Sequence, residues 1–375
     1  MAISEERLRA NYEALVRVAG DGMAVLAVLK ANAYGHGAGV CAPVLAGVSA
    51  EWLGVTDAEE GVAIRAALVG IASQPKILVM LGSPREDAEA IVQAGLTPVV
   101  WNRQQMEWLA EAVQRSGGSP LAVHLEIDTG MARQGVVPGD ELRSLLAWME
   151  GQSRLRLDGV MTHFASAEVA GSPLTMRQRE RFEQALRMVA DAGLQPAWVH
   201  AGNSSTVDNS TVCGEDCGSL VWLREAASRV GARAMVRSGI ALYGYCLPVE
   251  GAEALVQPEI RPVMTWKTRV LDVRDVQAGD TVGYNAIFTA AHPMRLALVP
   301  VGYADGLRRE LSGADGAPSG WVMVRGRRAM IVGRVSMNLT VVDVTDIPDV
   351  AVGDEVVLLG DGITAVDHAR LAHTI

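Results

Sequence analysis

The sequence predicts an α/β protein in which a (β/α)8 barrel over residues 1–248 is followed by a mostly-β C-terminal domain over residues 249–375. Three observations favour this fold class. The chain has 375 residues, of which 49% are hydrophobic and 20% are charged, so it can bury the cores of two domains. Short apolar runs alternate with helix-length segments up to about residue 245. Beyond that point, alternating strand patterns with Gly-Asp turns replace them.

Eight apolar runs in the first part of the chain are candidate barrel strands. Each is a near-continuous hydrophobic stretch, which is typical of parallel strands that are buried on both faces. A doubly wound sheet would show the same local pattern, so it is the count of strands that favours the barrel. The segments between the runs, such as PREDAEAIVQAGL, carry apolar residues at helical spacing. The candidate strands are AVLAVLK, WLGVT, KILVMLG, TPVVW, AVHLEID, LDGVMTHF, AWVHAG and RAMVRSG.

After Pro248 the pattern becomes one of short alternating strands, as in WVMVRGRRAM, LTVVDV and DEVVLL. The segment TAVDHARLA, near the end of the chain, is the first convincing helix in this part of the sequence. A mostly-β second domain is therefore expected.

Charge and hydropathy exclude several classes of function. The formal net charge is −10 and no Lys/Arg-rich run is present, so we expect no nucleic-acid partner. No apolar run approaches the roughly 20 residues of a membrane span, and the first residues lack the pattern of a signal peptide, so we expect a cytoplasmic protein without a membrane partner. Cys213 and Cys217, in CGEDCG, are expected to be free thiols in a loop, and we expect no metal site.

In barrels of this kind the active site lies at the carboxyl ends of the strands. There the sequence places an amine, imidazoles, guanidiniums and a hydroxyl, although polar residues also occur wherever a strand meets solvent. A lysine in this position, Lys30, can form an imine with an aldehyde. The turns HAGNSS and RSGIALYG follow the last two strands, where barrels frequently bind phosphate. An aldehyde that carries a phosphate indicates pyridoxal 5′-phosphate (PLP), and the alternative is a barrel enzyme that uses Lys30 as a general base.

Seven motifs in this order over nearly the whole chain resemble the alanine racemase family. They are VLKANAYGHG, DTGMARQG, HAGNSS, VRSGIALYG, VGYNAIF, VGYADGL and VGRVSMN. The resemblance implies a barrel with a β domain, PLP bound to Lys30, and interconversion of L- and D-alanine, the D-isomer being a cell-wall precursor. It also implies a head-to-tail homodimer in which each active site borrows residues from the partner's β domain.

The resemblance also implies roles for individual residues. Lys30 would be the base on one face of the substrate α-carbon, and Tyr284 of the partner subunit the base on the opposite face. Arg133 and the main chain of Met337 would receive the substrate carboxylate. His163 and His200 would form a hydrogen-bonded chain from Arg237, which faces the pyridine nitrogen, to the catalytic tyrosine, whereas His36 would be structural. The remaining cofactor-binding residues would be Tyr34, Asn203, Ser204, Gly239 and Ile240.

Three departures from the family pattern affect these expectations. Glu126 stands where the family usually has a lysine that is often carbamylated, and we expect it to support Arg133 by pairing with it directly. Asn338 replaces a common aspartate. The stretch LAHTI corresponds to the segment before a tyrosine and a last strand of the family, so the β domain is expected to be truncated at its end.

Other activities remain open from the sequence. A serine or broad-specificity racemase is the alternative within enzymes, because the altered positions lie near the entrance to the site. A non-catalytic PLP-binding protein is a second alternative, but that class lacks a tyrosine-bearing β domain. A basic amino-acid decarboxylase uses a cysteine from its β domain, and no cysteine follows Cys246.

Overall fold

The computed structural model describes residues 1–208, 219–246, 250–251, 259–317 and 319–374. Two compact units are present, Glu5–Arg261 and a β unit formed by Met1–Ser4 with Pro262–Ile375. The expected domain boundary between residues 248 and 249 lies outside the described residues, as do Cys213 and Cys217. Among the described residues, no helix is long and apolar enough to cross a membrane.

The first unit is a closed barrel of eight parallel strands, which confirms the fold predicted from the apolar runs. The first strand closes the barrel by pairing with the eighth, with Met23 opposite Ala234 and Ala27 opposite Ser238. All six residues of the first strand are buried, because the barrel interior covers one face and the helices cover the other. The strands are Met23–Val28, Trp52–Val55, Lys76–Val79, Thr97–Val100, Leu121–Glu126, Leu155–Met161, Trp198–His200 and Arg233–Ser238.

The helices of this unit follow the amphipathic segments of the sequence. Several begin at a polar cap, as where the Asn102 side chain accepts a hydrogen bond from the backbone N–H of Gln105. The α-helices are Glu5–Ala19, Lys30–Tyr34, Ala38–Gly47, Ala58–Ala67, Ala88–Gln93, Arg103–Ser116, Asp140–Glu150, Pro173–Asp191, Ser204–Asp208 and Ser219–Ser228. Two 3₁₀ turns, Arg85–Asp87 and Ile240–Tyr243, complete the unit.

The second unit is built from three antiparallel sheets. The five-stranded sheet has the order Ala2–Ile3, Met264–Arg269, Glu355–Leu359, Trp321–Val324 and Arg327–Met330. The three-stranded sheet has the order Asp272–Val276, Met294–Val299 and Thr340–Asp343, and Thr281–Val282 pairs with Phe288–Thr289. The sequence also correctly predicted the helix Ala365–Leu371. Three 3₁₀ turns are Tyr284–Ala286, Tyr303–Asp305 and Arg309–Leu311.

The first residues of the chain belong to this β unit. Ala2 and Ile3 pair antiparallel with Thr265 and Met264, and the backbone N–H of Ser4 donates to the Val263 carbonyl at 3.0 Å. The short N-terminal segment MAIS thus supplies an edge strand to the five-stranded sheet.

Candidate active site

Lys30 lies at the start of a left-handed turn. The first barrel strand ends at Val28, two residues before the end that the sequence predicted, and Lys30 opens the short helical segment Lys30–Tyr34. The φ angles of residues 31–34 all lie between 52° and 58°. Non-glycine residues adopt this conformation at a cost of about 1–2 kcal/mol each, so the surrounding structure must hold the turn in place.

One support for the turn comes from Glu60, on the helix that follows the second strand. Its carboxylate accepts the backbone N–H of Asn32 at 3.2 Å and that of Thr56 at 2.8 Å. The Asn32 side chain in turn accepts the backbone N–H of Ala38 at 2.8 Å. These bonds tie the start of the turn to the end of the second barrel strand and to the helix that follows the turn.

A cavity of about 620 Å³ opens at the carboxyl ends of the barrel strands. Its volume is in the range of small-ligand and cofactor sites. The structure brings together here ten of the residues that the sequence singled out: Lys30, Tyr34, Glu126, Arg133, His163, Asn203, Ser204, Arg237, Gly239 and Ile240. The sequence did not indicate the other lining residues, which are Val28, Thr56, Met80, Leu81, Gln134, Met161 and Ser205.

One side of this cavity carries hydroxyls and backbone amides. Ser204 Oγ accepts the backbone N–H groups of Gly239 at 3.0 Å and Ala241 at 3.2 Å, which leaves the Ser204 hydroxyl hydrogen free to donate. Tyr34 packs so closely on Gly239 that a Cβ at residue 239 would lie 2.4 Å from the tyrosine oxygen. The Ser204 hydroxyl hydrogen and the nearby Tyr34 hydroxyl are donors that suit a phosphate.

Arg237 is a buried cation at the end of the eighth strand, with 4% of its surface exposed. It donates to His200 Nδ1 at 3.0 Å, to His163 Nδ1 at 3.0 Å and to the Thr162 carbonyl at 2.8 Å. Burial lowers the pKa of Arg237 to about 10, so the guanidinium remains charged at neutral pH. Burial, followed by the charges of Arg237, Arg133 and Lys30, lowers the pKa of His163 to about 3. His163 is therefore a neutral acceptor for Arg237.

A chain of buried polar groups continues from Arg237 into the barrel. A guanidinium can only donate, so His200 Nδ1 accepts the hydrogen bond from Arg237, and the neutral ring carries its hydrogen on Nε2. His200 Nε2 lies 2.8 Å from His124 Nδ1. His124 then carries its hydrogen on Nε2, 3.8 Å from the carboxylate of Asp158. Burial lowers the pKa of both His200 and His124, which keeps them neutral. Sequence reasoning found His200 but missed His124 and Asp158, although a histidine and an aspartate within otherwise apolar strands were a usable signal.

Glu126 has a different partner from the one that the sequence predicted. Its carboxylate accepts from Gln134 Nε2 at 2.5 Å, and Gln134 also donates to the Met80 carbonyl at 3.0 Å. Within the described residues, no ion pair joins Glu126 to Arg133. Glu126 is 2% exposed, and burial raises its pKa, whereas the Gln134 hydrogen bond and the charges of Arg237 and Arg133 lower it.

Three other polar residues near strand ends have local structural roles. Asp57 and Asn102 cap helices through bonds to the amides of Glu60 and Gln105. Asp128 Oδ1 accepts three backbone N–H groups, those of residues 130, 131 and 132, and so shapes the turn after the fifth strand. None of the three lines the cavity.

Tyr284 and Met337 lie in the β unit and are exposed. Tyr284 is 69% exposed and begins a 3₁₀ turn directly after Gly283, whose φ is 77°. Met337 is 56% exposed, and two more exposed apolar side chains of the unit are Tyr303 at 42% and Leu339 at 40%.

Two family models cover almost all of the chain. The model described as "Alanine racemase, N-terminal domain" matches residues 3–247, and the model described as "Alanine racemase, C-terminal domain" matches residues 263–375. An alanine racemase of Symbiobacterium thermophilum is 39% identical over an alignment of 375 positions, which covers 98% of this chain and 90% of the relative.

Solved structures agree with this match. The alanine racemase of Streptomyces coelicolor A3(2) superimposes with a TM-score of 0.85 and 34% identity, covering 100% of this chain and 92% of the other. A structure of the Bartonella henselae alanine racemase, described with covalently bound pyridoxal phosphate, gives a TM-score of 0.80 and 27% identity over 100% and 94% of the two chains. The chain belongs to the alanine racemase family, whose cofactor is PLP.

Proposed function

We propose that this protein is an alanine racemase that interconverts L- and D-alanine with PLP. The observation that carries the proposal is that one cavity holds Lys30, the Ser204 and Tyr34 hydroxyls beside Gly239, and Arg237. These groups match the three recognition features of PLP: an amine for its aldehyde, donors for its phosphate and a cation for its pyridine nitrogen. When bound, PLP supplies the electron sink that acidifies the substrate α-carbon.

The chemistry of Arg237 favours racemisation over side reactions. Its guanidinium donates to two histidines and remains protonated at neutral pH. A group that keeps its proton leaves the cofactor's ring nitrogen unprotonated, which weakens the electron sink. A weaker sink limits reactions such as transamination, while α-proton removal remains possible when two bases are well positioned.

Arg133 is the residue that we assign to the substrate carboxylate. It lines the cavity, and within the described residues its guanidinium has no ion-pair partner, so its donors are available. A planar guanidinium matches a carboxylate in bidentate geometry. We assign the second contact to the main chain at Met337 of the partner subunit.

Racemisation requires removal of a proton on one face of the α-carbon and its delivery on the other. Lys30 can serve one face. Among the described residues that line the cavity, Tyr34 is the one tyrosine, and it packs against Gly239. We therefore assign the second face to Tyr284 of the partner subunit in a head-to-tail homodimer, with His163 as the link from Arg237 to that hydroxyl. The exposure of Tyr284, Met337 and Leu339 supports such a contact.

The proposed activity is tested by incubating the PLP-loaded protein with a panel of L-amino acids and measuring both enantiomers by chiral chromatography. L-Alanine is expected to give a racemic product at the highest kcat/KM. Faster conversion of L-serine, or similar rates across the panel, would instead identify a serine or broad-specificity racemase. Bound PLP without any racemisation would identify a non-catalytic PLP-binding protein.

Gly239→Ala is expected to weaken PLP binding by about 10- to 100-fold. This is the change in dissociation constant expected for the loss of one hydrogen bond to a charged phosphate. A Cβ at residue 239 would displace the Tyr34 hydroxyl, which lies 2.4 Å from the position of that atom. The PLP dissociation constant, measured from visible absorbance, checks this result. Gly39→Ala is the matched control, because a Cβ there meets no atom within 4 Å. Equal dissociation constants for the two variants would contradict the assignment of this subsite to phosphate.

Glu126→Gln is expected to raise the KM for alanine more than it lowers kcat. The substitution removes a buried negative charge that faces Arg133 and Arg237, whereas a glutamine can keep a hydrogen bond to Gln134. Steady-state kinetics at several substrate concentrations separate the two parameters. Because a carboxylate needs no carbamylation, native activity is also expected to be independent of bicarbonate. Unchanged kinetics in the variant, or a requirement for bicarbonate, would show that Glu126 does not support Arg133.

A further inference from the structure

His36 lies directly beneath the left-handed turn that carries Lys30 and Tyr34. Its Nδ1 is 3.0 Å from the Ala33 carbonyl and 3.2 Å from the Tyr34 carbonyl. Carbonyl oxygens only accept hydrogen bonds, so Nδ1 carries the hydrogen and donates to both. His36 is 8% exposed, and within the described part of the chain its Nε2 is buried without a hydrogen-bond partner. Burial lowers the pKa of His36, which agrees with a neutral ring protonated on Nδ1.

A stacked tyrosine connects His36 to the barrel wall. The His36 and Tyr243 rings have centroids 4.3 Å apart and planes inclined by 25°. The Tyr243 hydroxyl donates to the carbonyl of Val28, at the end of the first barrel strand, at 2.9 Å. The side chains of His36 and Tyr243 therefore join two parts of the backbone. One is the end of the strand before Lys30, and the other is the pair of carbonyls in the turn after it.

The contacts divide the support of the turn between two residues. Glu60 binds the amide of Asn32, near the start of the turn, and His36 binds the carbonyls at its end. Both supports act on strained backbone, because three of the four residues 31–34 are neither glycine nor asparagine and yet have positive φ. Lys30 precedes this backbone and Tyr34 is its last residue, and both line the cavity.

We propose that His36 is a positioning residue, whose Nδ1–H holds the left-handed turn and thereby fixes the Lys30 amine and the Tyr34 hydroxyl for the cofactor. The expected effect of His36 on turnover rests on the proposed function. Its effect on PLP binding does not depend on which amino acid is the substrate. A histidine that served for core packing alone would be replaced equally well by another flat ring, so the donor atom is what distinguishes the two roles.

The test compares two substitutions in the PLP-loaded enzyme. His36→Phe keeps a ring that can stack on Tyr243 but removes the donor, and PLP affinity is expected to fall about tenfold, as for the loss of one to two hydrogen bonds. In this variant kcat is expected to fall more than the KM for alanine changes. His36→Asn places an N–H on the atom that corresponds to Nδ1, and is expected to restore PLP affinity to within about threefold of the native value.

His368→Phe is the matched control. His368 is also 8% exposed, and its Nε2 bonds the Trp321 carbonyl at 3.2 Å within the β unit. We expect this variant to lose thermal stability as His36→Phe does, while PLP affinity stays unchanged. The rate at which borohydride fixes PLP on Lys30 gives a readout that is independent of turnover, and it is expected to fall in His36→Phe alone.

Native PLP affinity in His36→Phe, or equal impairment in His36→Phe and His36→Asn, would overturn the proposal. If His36→Phe does not fold, His36→Gln decides, since its amide N–H corresponds to the position of Nε2 and not to that of the Nδ1 donor. That variant is expected to bind PLP several-fold more weakly, and native affinity there would overturn the proposal. Weakened PLP binding in a protein that racemises no amino acid would support the role of His36 and contradict the proposed function.

Discussion

Replacing Lys30 with alanine is expected to reduce alanine racemisation by about 10⁴-fold, the upper end of the usual cost of removing a positioned acid or base. In the proposed mechanism the loss is large because one amine would both bind PLP covalently and move the proton on one face of the substrate. Lys30 lines the cavity beside Tyr34, with its Nζ 5.8 Å from the centre of that ring. Chiral chromatography measures the loss of turnover, and visible absorbance measures the loss of covalently bound cofactor.

The chain provides its own controls for this result, because it contains three lysines, Lys30, Lys76 and Lys267. Lys76 lies 3.5 Å from the Asp158 carboxylate, and Lys267 lies 2.8 Å from that of Glu355. Borohydride reduction followed by peptide mapping is expected to place the label on Lys30, and Lys267→Ala is expected to retain label and activity. A label mainly on Lys76 or Lys267 would contradict the assignment of Lys30.

The barrel was predictable from the sequence because its strands are buried on both faces. In runs such as Met23–Val28 every residue is buried, so hydrophobicity alone marks the strand, and helices with regular spacing separate one run from the next. The predicted site residues that line the cavity share one property: they lie within or after motifs at the carboxyl ends of these strands. A closed barrel brings those ends together whatever the details of the loops.

The left-handed turn after Lys30 could not be predicted in the same way. Glycine is the residue that signals positive φ, and residues 31–34 are alanine, asparagine, alanine and tyrosine. The conformation is supported by the Glu60 carboxylate, which is 28 residues from Asn32 in the chain, and by the His36 ring, whose contact with the Ala33 carbonyl depends on how the ring is oriented. Local sequence patterns contain no information on such contacts, so the strand was predicted to continue through Lys30.

The hydrogen-bond partner of Glu126 and the chain of polar groups behind Arg237 also could not be predicted from the sequence. Glu126 was expected to pair with Arg133, but the turn after the fifth strand brings the Gln134 amide to the carboxylate instead. Which residue of a turn faces a strand depends on its backbone angles, and Ala132 has a φ of 55° that the sequence did not signal. Likewise, the contact of His124 with His200 joins strands 76 residues apart in the chain.

Tyr284→Phe is expected to lower alanine racemisation by about 10²- to 10⁴-fold, because it removes one of the two acid–base groups of the proposed mechanism. PLP binding is expected to stay close to native, since the residues that we propose to bind the cofactor lie in the barrel unit. Lys30 would still serve one face of the α-carbon, so one enantiomer of alanine should continue to exchange its α-hydrogen with deuterated solvent without inversion. Mass spectrometry of each enantiomer measures this exchange. Loss of exchange for both enantiomers, with PLP bound, would contradict the assignment of the two faces.

Mixing Lys30→Ala with Tyr284→Phe is expected to restore activity, because both lesions then fall in the same site of a mixed dimer and leave the other site intact. One site of that dimer would contain Lys30 of one subunit and Tyr284 of its partner, while both lesions would lie in the other. Random exchange in a two-fold dimer makes about half of the dimers mixed, so activity should approach roughly a quarter of the native value. Each variant exchanged with itself is the control and should stay inactive. If no activity returns while labelled subunits demonstrably exchange, Lys30 and Tyr284 do not meet across an interface, and the shared-site dimer is wrong.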